Sequence, residues 1–128
     1  MPFDVDIDHE HGRVHSRWWG AVDRAALFAY VDVVWRDPRA RAYDELVDFR
    51  LVEFVDLPSA AIADLVRYSR QLDNPERSAR SAVIAASALV YGLSRMFAGQ
   101  RAADSDDRRE FRVFDDAAAA LAWLAGGD

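Results

Sequence analysis

The sequence predicts an α/β domain built on a single mixed β-sheet, with the element order β-β-α-β-α-β-α-β-α. Three observations carry this. The stretch Phe3-Asp4-Val5-Asp6-Ile7-Asp8 alternates strictly between apolar and acidic residues, the pattern of a half-buried strand. Residues 79–98 join an apolar run, Ala82 to Ala86, to an amphipathic stretch with Leu89, Leu93, Met96 and Phe97 at helical spacing. The run reads as a strand buried on both faces, and Ser87 caps the helix that follows it. Finally, Phe111-Arg112-Val113-Phe114 reads as a strand ahead of an alanine-rich helix. One hairpin followed by alternating strands and helices favours parallel inner strands joined by right-handed crossovers.

Each element follows from its own residues. After the first strand, His9-Glu10-His11-Gly12 is a turn, and Arg13 to Trp18 returns as the hairpin partner, which Trp19-Gly20 ends. Asp23 caps a helix with the core stripe Leu27, Val31, Val34 and Trp35, stopped by Asp37-Pro38. Arg39 to Tyr43 is a polar connector, and Leu46-Val47-Asp48-Phe49 is the next strand. Leu51 to Leu57 is a loop or short extension into a second helix that starts near Pro58-Ser59. That helix carries Ile62, Leu65, Val66 and Leu72 and ends at Asp73-Asn74-Pro75. The helix after Ser87 runs out near Gly99, and Ala103 to Asp107 is a solvated linker. Asp115 or Asp116 caps the last helix, whose stripe is Ala117, Ala120, Leu121 and Leu124, with Trp123 packed back on the sheet.

Composition bounds the function. The 128 residues suit one domain, 1–128, able to bury roughly two thirds of its unfolded surface. A net charge of -6 offers no basic footprint, so nucleic acid is not an expected partner, nor is polybasic attachment to anionic lipid. No lysine is present, which excludes Schiff-base chemistry. No cysteine is present either, which removes thiol nucleophiles, disulfides and thiolate metal sites. The start shows no basic segment followed by an apolar core, so export is not indicated and a cytoplasmic location is expected. The longest apolar stretch, Ala82 to Leu93, is too short for a membrane span.

Several of these stretches together resemble a known family. They are Val83-Ile84-Ala85, Tyr91-Gly92-Leu93-Ser94-Arg95-Met96-Phe97, Phe111 to Phe114, and Ala120-Leu121-Ala122-Trp123-Leu124. They resemble the SpoIIAA-like family of small STAS/SEC14-type domains, in which a strand leads to a GLARMF-like helix and a VRVF strand to an EAxxWL helix. Leu46-Val47-Asp48-Phe49-Arg50 looks like the family's central LxDxR strand. The resemblance implies a mixed sheet with helices, related to anti-sigma-factor antagonists and to lipid carriers, with no established enzymatic activity and no cofactor. The signalling relatives carry a phosphorylatable serine in a D-S-S-G turn opening the second helix. Here the stretch reads Asp56-Leu57-Pro58-Ser59, with Pro58 at the serine's position and Ser59 one place later. That departs from the pattern that partner switching by serine phosphorylation requires.

Candidate sites are few. His9, His11 and His15, with Asp8 and Glu10, are the residue types that hold zinc or nickel, but a glycine-tipped turn places them in solvent without supporting groups. No Ser-His-Asp arrangement and no glycine-rich phosphate loop is present. A helix start at Ser87 or Ser59 suits a small anion, although serine there more often only caps. Asp48 and Arg50 stand at the C-terminal end of a central strand, where open α/β sheets place ligands. Tyr91 and Arg95 share a helix face beyond Ser87. Asp48, Arg50, Ser87, Tyr91 and Arg95 are therefore the expected polar rim of an apolar pocket. The alternative is an Asp–Arg pair tying strand to helix, with the tyrosine as filler.

Trp18 and Trp19 are adjacent on a strand, so one ring belongs in the core and the other on an outer face, with Trp35 or Phe28 as neighbours there. Trp18 is thus a candidate ligand contact, and Met96 and Phe97 are flexible and aromatic walls if the cleft lies beside their helix. Two functions follow. The first is a non-enzymatic module holding a small apolar or amphipathic, lipid-like ligand between sheet and helix. The alternative is a STAS-type interaction module acting on a protein partner or as a homodimer.

Overall fold

The computed structural model describes residues 1–72, 78–103 and 109–127. The proposed helix stop Asp73-Asn74-Pro75 and the linker residues 104–107 lie outside them. The strands are β1 Phe3–Asp8, β2 Arg13–Asp23, β3 Asp44–Asp56, β4 Ala79–Ile84 and β5 Arg109–Phe114. The helices are α1 Arg24–Trp35, α2 Ser59–Arg70, α3 Ala88–Ala102 and α4 Ala117–Leu124, with a 3-10 turn at Ala40–Ala42. The five strands form one mixed sheet in the order β1-β2-β3-β4-β5, β1 antiparallel to β2 and the rest parallel. Element order and fold class are those expected from the sequence.

Alternation along the strands sorts side chains to two faces. Val14 and Trp18 of β2 and Val47 of β3 join the larger core with α1 and Leu65 of α2, and Val83 and Phe97 pack against it. Leu46, Ala82 and Ile84 point the other way and meet Ala120, Trp123 and Leu124 of α4. Three helices therefore cover one face and α4 covers part of the other. Burial of each such aliphatic side chain contributes about 1.5–3 kcal/mol.

The structure corrects several boundaries. β2 does not end at Trp19-Gly20 but continues to Asp23, and of the two readings of Leu51 to Leu57, loop or short extension, the residues to Asp56 are an extension of the strand. Past Trp18 and Asp48, β2 and β3 pair only with each other, as a parallel ribbon extending beyond β1 and β4. β3 carries an extra residue at two register shifts, one opposite Arg17/Trp19 and one opposite Gly20/Ala21. Gly20 sits at the second with φ +65°, a backbone state glycine adopts without penalty, which is why a turn-like Gly occurs within a strand. β4 starts at Ala79, earlier than the apolar run, because pairing with Arg109 and Glu110 of β5 extends it through polar positions. α3 continues past Gly99 to Ala102.

Helix faces also differ in detail. Asp23, Ser87 and Asp116 cap α1, α3 and α4 through side-chain oxygens, as expected for the first two and resolving the choice for the third. On α3, Leu89 and Met96 are exposed, while Val90, Leu93 and Phe97 face the sheet side. On α4, Leu121 is exposed and Trp123 takes its place in the core. In both helices the apolar set is wider than one stripe, so spacing alone does not select the buried edge.

Candidate functional site

Between the sheet and helices α1, α2 and α3 lies a cleft of about 960 Å³, part of it open to solvent. Its floor follows β3 through Glu45, Val47, Phe49, Val52 and Val55, flanked by Trp18 and Val22 of β2 and by Val83 and Phe111. At a rise of ~3.3 Å per residue this floor is about 30 Å long. The bulges in β3 keep Val52 and Val55 on the floor side although they are not at strict even spacing from Phe49. Leu27 and Val31 of α1, Ile62 and Leu65 of α2, and Val90, Leu93 and Phe97 of α3 form the walls. Such an almost wholly apolar lining suits an apolar guest.

One end of the cleft is closed and polar. Glu45 and Val47 are buried there, at 4% and 7% exposure, whereas Phe49, Val52 and Val55 are only half-buried. The Tyr30 hydroxyl donates to Glu45 Oε2 at 2.5 Å, and Ser81 Oγ donates to Oε1 at 2.7 Å. Arg109 donates to Ser81 Oγ at 2.9 Å and to the Arg41 and Tyr43 carbonyls, its guanidinium lying 4.4 Å from the Trp35 ring centre. A chain of hydrogen bonds thus joins Arg109 to Glu45 through Ser81. Burial pushes the Tyr30 hydroxyl well above its ordinary pKa, and the Glu45 charge adds to this, so Tyr30 remains a donor. Nearby, Trp18 Nε1 donates to the buried Ser16 Oγ at 3.1 Å.

The residues expected to form one rim are not gathered at this cleft. Trp18 lines it, at 1% exposure. Asp48 and Arg50 pair with each other two residues apart on β3, Arg50 donating to Asp48 Oδ2 at 2.7 Å, rather than tying strand to helix. Burial raises the Asp48 pKa, but the bonds from Arg50 outweigh it and hold the carboxyl below its usual value. Ser87 caps α3 by accepting from Val90 N. Tyr91 and Arg95 lie outside the cleft lining, which α3 supplies from Val90, Leu93, Ser94, Phe97 and Ala98. The physical reason is the rotation of α3: residues i, i+3 and i+7 from Val90 point inward, and Tyr91 and Arg95 lie about one residue further round.

Other expectations resolve locally. Trp19 is the outer tryptophan, and its apolar neighbours across the ribbon are Leu51 and, further on, Phe54, whereas Trp35 is buried and Phe28 stacks on Tyr68. Met96 is exposed, while Phe97 is a cleft wall. His11 pairs with Asp8 at 2.8 Å, and His9 meets the Tyr43 hydroxyl at 2.9 Å. Sequence reading missed Tyr30, Glu45, Ser81 and Arg109. Their only signal was a charged residue within each of β3 and β5, ordinarily read as a strand end.

No protein-family model matches the chain, and no curated protein is significantly similar to it. Among solved structures it is similar to an uncharacterised protein of the DUF3478 family with a SpoIIAA-like fold from Shewanella loihica PV-4. The two align with a TM-score of 0.56 and 18% identity, covering 95% of this chain and 93% of that one. At that identity the likeness concerns the fold, and the chain has the SpoIIAA-like fold.

Proposed function

We propose that this SpoIIAA-like protein is a cytoplasmic, non-enzymatic binding module that holds a small apolar or amphipathic, lipid-like molecule in the cleft between the sheet and helices α1–α3. The observation that carries the reading is the almost wholly apolar lining of that cleft. Its walls offer a guest dispersion contacts and hydrophobic burial. A non-enzymatic role is supported by the chemistry facing the guest. Among the described residues, the polar lining groups are held in hydrogen bonds or are isolated serines, and none of them is an imidazole that could act as a base. Trp18, alone of the six residues expected at the site, is the ligand contact in this proposal.

Native mass spectrometry followed by denaturing extraction tests the reading. The expected result is a stoichiometric extra mass, released on denaturation and soluble in organic solvent. A clean apo mass together with no uptake of added alkyl compounds would overturn it.

A second reading, a protein-interaction or self-association module, is favoured by a separate observation. Trp19, Leu51 and Phe54 are 42%, 70% and 62% exposed on the β2–β3 ribbon. Apolar side chains at that exposure on neighbouring strands form a patch of the kind that marks partner contacts. Pro58 stands as the N-cap of α2 with no side-chain cap bond, and Ser59 is the first helical residue, so the phosphoserine pattern of signalling relatives does not support this reading. Light scattering of the full chain and of Phe54→Ser separates the two: concentration-dependent dimers abolished by the substitution favour the second.

A further inference from the structure

We propose that the closed end of the cleft selects the head of the ligand: Glu45, positioned by Tyr30 and Ser81, accepts a hydrogen bond from a neutral hydroxyl on an otherwise apolar molecule and turns away carboxylate-headed lipids. This rests on the apolar-ligand reading above and names the class of ligand within it.

Hydrogen-bond accounting supplies the reason. A carboxylate has roughly four lone-pair positions and no donor. Among the described residues, the Glu45 carboxylate accepts side-chain bonds from Tyr30 and Ser81, one to each oxygen, and its side chain also lines the cleft. The group is 4% exposed, so water reaches it poorly, and acceptor capacity left over at a buried carboxylate favours any guest that brings a donor. Tyr30 offers no alternative donor, because its one O–H is already directed to Oε2. Ser81 is likewise spent on Oε1 while accepting from Arg109. Among the described residues, the Tyr30 and Ser81 hydroxyls are therefore both committed to Glu45, which is left as the acceptor at the closed end.

Charge narrows the head further. The Arg109 guanidinium already lies one hydroxyl away from Glu45, across Ser81, so a neutral donor fits better than a second cation. A fatty-acid carboxylate would bring a like charge against Glu45 at a site where the carboxylate is only 4% exposed to solvent. Burial falls from Glu45 and Val47 toward Val52 and Val55, so a linear alcohol places its hydroxyl at the closed end and its chain along β3 toward the open ribbon. The remaining floor, Val47, Phe49, Val52 and Val55, offers that chain only apolar surface.

Calorimetric titration of the delipidated full chain with 1-octanol, methyl heptyl ether and octanoate tests this. The alcohol and the ether have the same number of heavy atoms and differ in the donor. Octanol is expected to bind about tenfold tighter than the ether or more, as a bond to a charged acceptor warrants, and octanoate no tighter than the ether. Glu45→Gln narrows the octanol-to-ether ratio, because its amide donates to an ether oxygen. Tyr30→Phe keeps the carboxylate and keeps or widens the ratio, which serves if Glu45→Gln does not fold. Equal binding of octanol and ether, or octanoate as the tightest of the three, overturns the head selection and leaves the apolar cleft standing. Binding of none of the three overturns both.

Discussion

Tyr30 and Glu45 are joined beneath α1 by a hydrogen bond of 2.5 Å, a helix residue and a strand residue 15 positions apart closing the polar end of the cleft. The pair couples packing of α1 on the sheet to the polarity of the site. Tyr30→Phe keeps the ring contacts with Phe3 and Trp18 and removes only the donor. It is expected to destabilise by about 1–3 kcal/mol, the cost of leaving a buried acceptor short of a donor. Urea melts of the two proteins check this, and a difference under about 0.5 kcal/mol would show that the bond contributes nothing net.

Trp123→Ala is expected to destabilise by about 3–5 kcal/mol. The indole is 2% exposed and packs on Leu46, Ala82 and Ile84, with the Arg80 and Arg112 guanidinium groups 4.8 and 5.1 Å from its ring centre. Truncation leaves a cavity under α4 and strips both arginines of their ring. Denaturant melts giving less than about 1 kcal/mol would contradict this placement.

The adjacent tryptophans should behave oppositely. Trp18 contacts Phe3, Tyr30 and Phe49 at ring separations of 4.6, 5.3 and 5.4 Å, so Trp18→Ala should cost about 3–5 kcal/mol. Trp19 is 42% exposed, and Trp19→Ala should stay within about 1 kcal/mol. Acrylamide quenching of fluorescence should fall in the Trp19 variant, which lacks the accessible indole. Equal melts for the two variants would contradict the assignment of faces.

Gly20→Ala isolates a backbone effect. Nothing lies within 4 Å of the added Cβ, yet φ is +65°. The expected loss is about 1–2 kcal/mol, from left-handed backbone alone. An unchanged melting midpoint would mean that the ribbon relaxes to another register.

His15 confers a pH dependence of known sign. Burial lowers its pKa below 6.5, and Arg17 acts the same way, while Asp48, Asp6 and Asp4 oppose. The unfolded chain therefore takes up the proton first. The stability that neutral His15 contributes is complete above about pH 6.5 and is lost as pH falls through that value toward the lower folded pKa. Melts of wild type and His15→Gln near pH 7.5 and pH 5 should show wild type losing ground relative to the variant at the lower pH. A constant difference between them would refute the shift.

The alternation of Phe3 to Asp8, the run Ala82 to Ala86 and the caps Asp23 and Ser87 determined element order and fold class by themselves. These signals are local: period, propensity and capping act over a few residues. The continuation of β2 and β3 was not legible, because Gly20 and the Leu51 to Asp56 stretch read as breaks until each strand supplies the other's hydrogen-bond partners. The buried edge of α3 was likewise undecided, since Leu89, Val90, Leu93, Met96 and Phe97 leave more than one inward rotation open. The Glu45 site was the least visible. Tyr30, Glu45, Ser81 and Arg109 come from four elements, and what allows a carboxylate to be buried is the set of donors brought to it by packing. A sequence records the charge; only the tertiary structure decides whether that charge faces water or a partner.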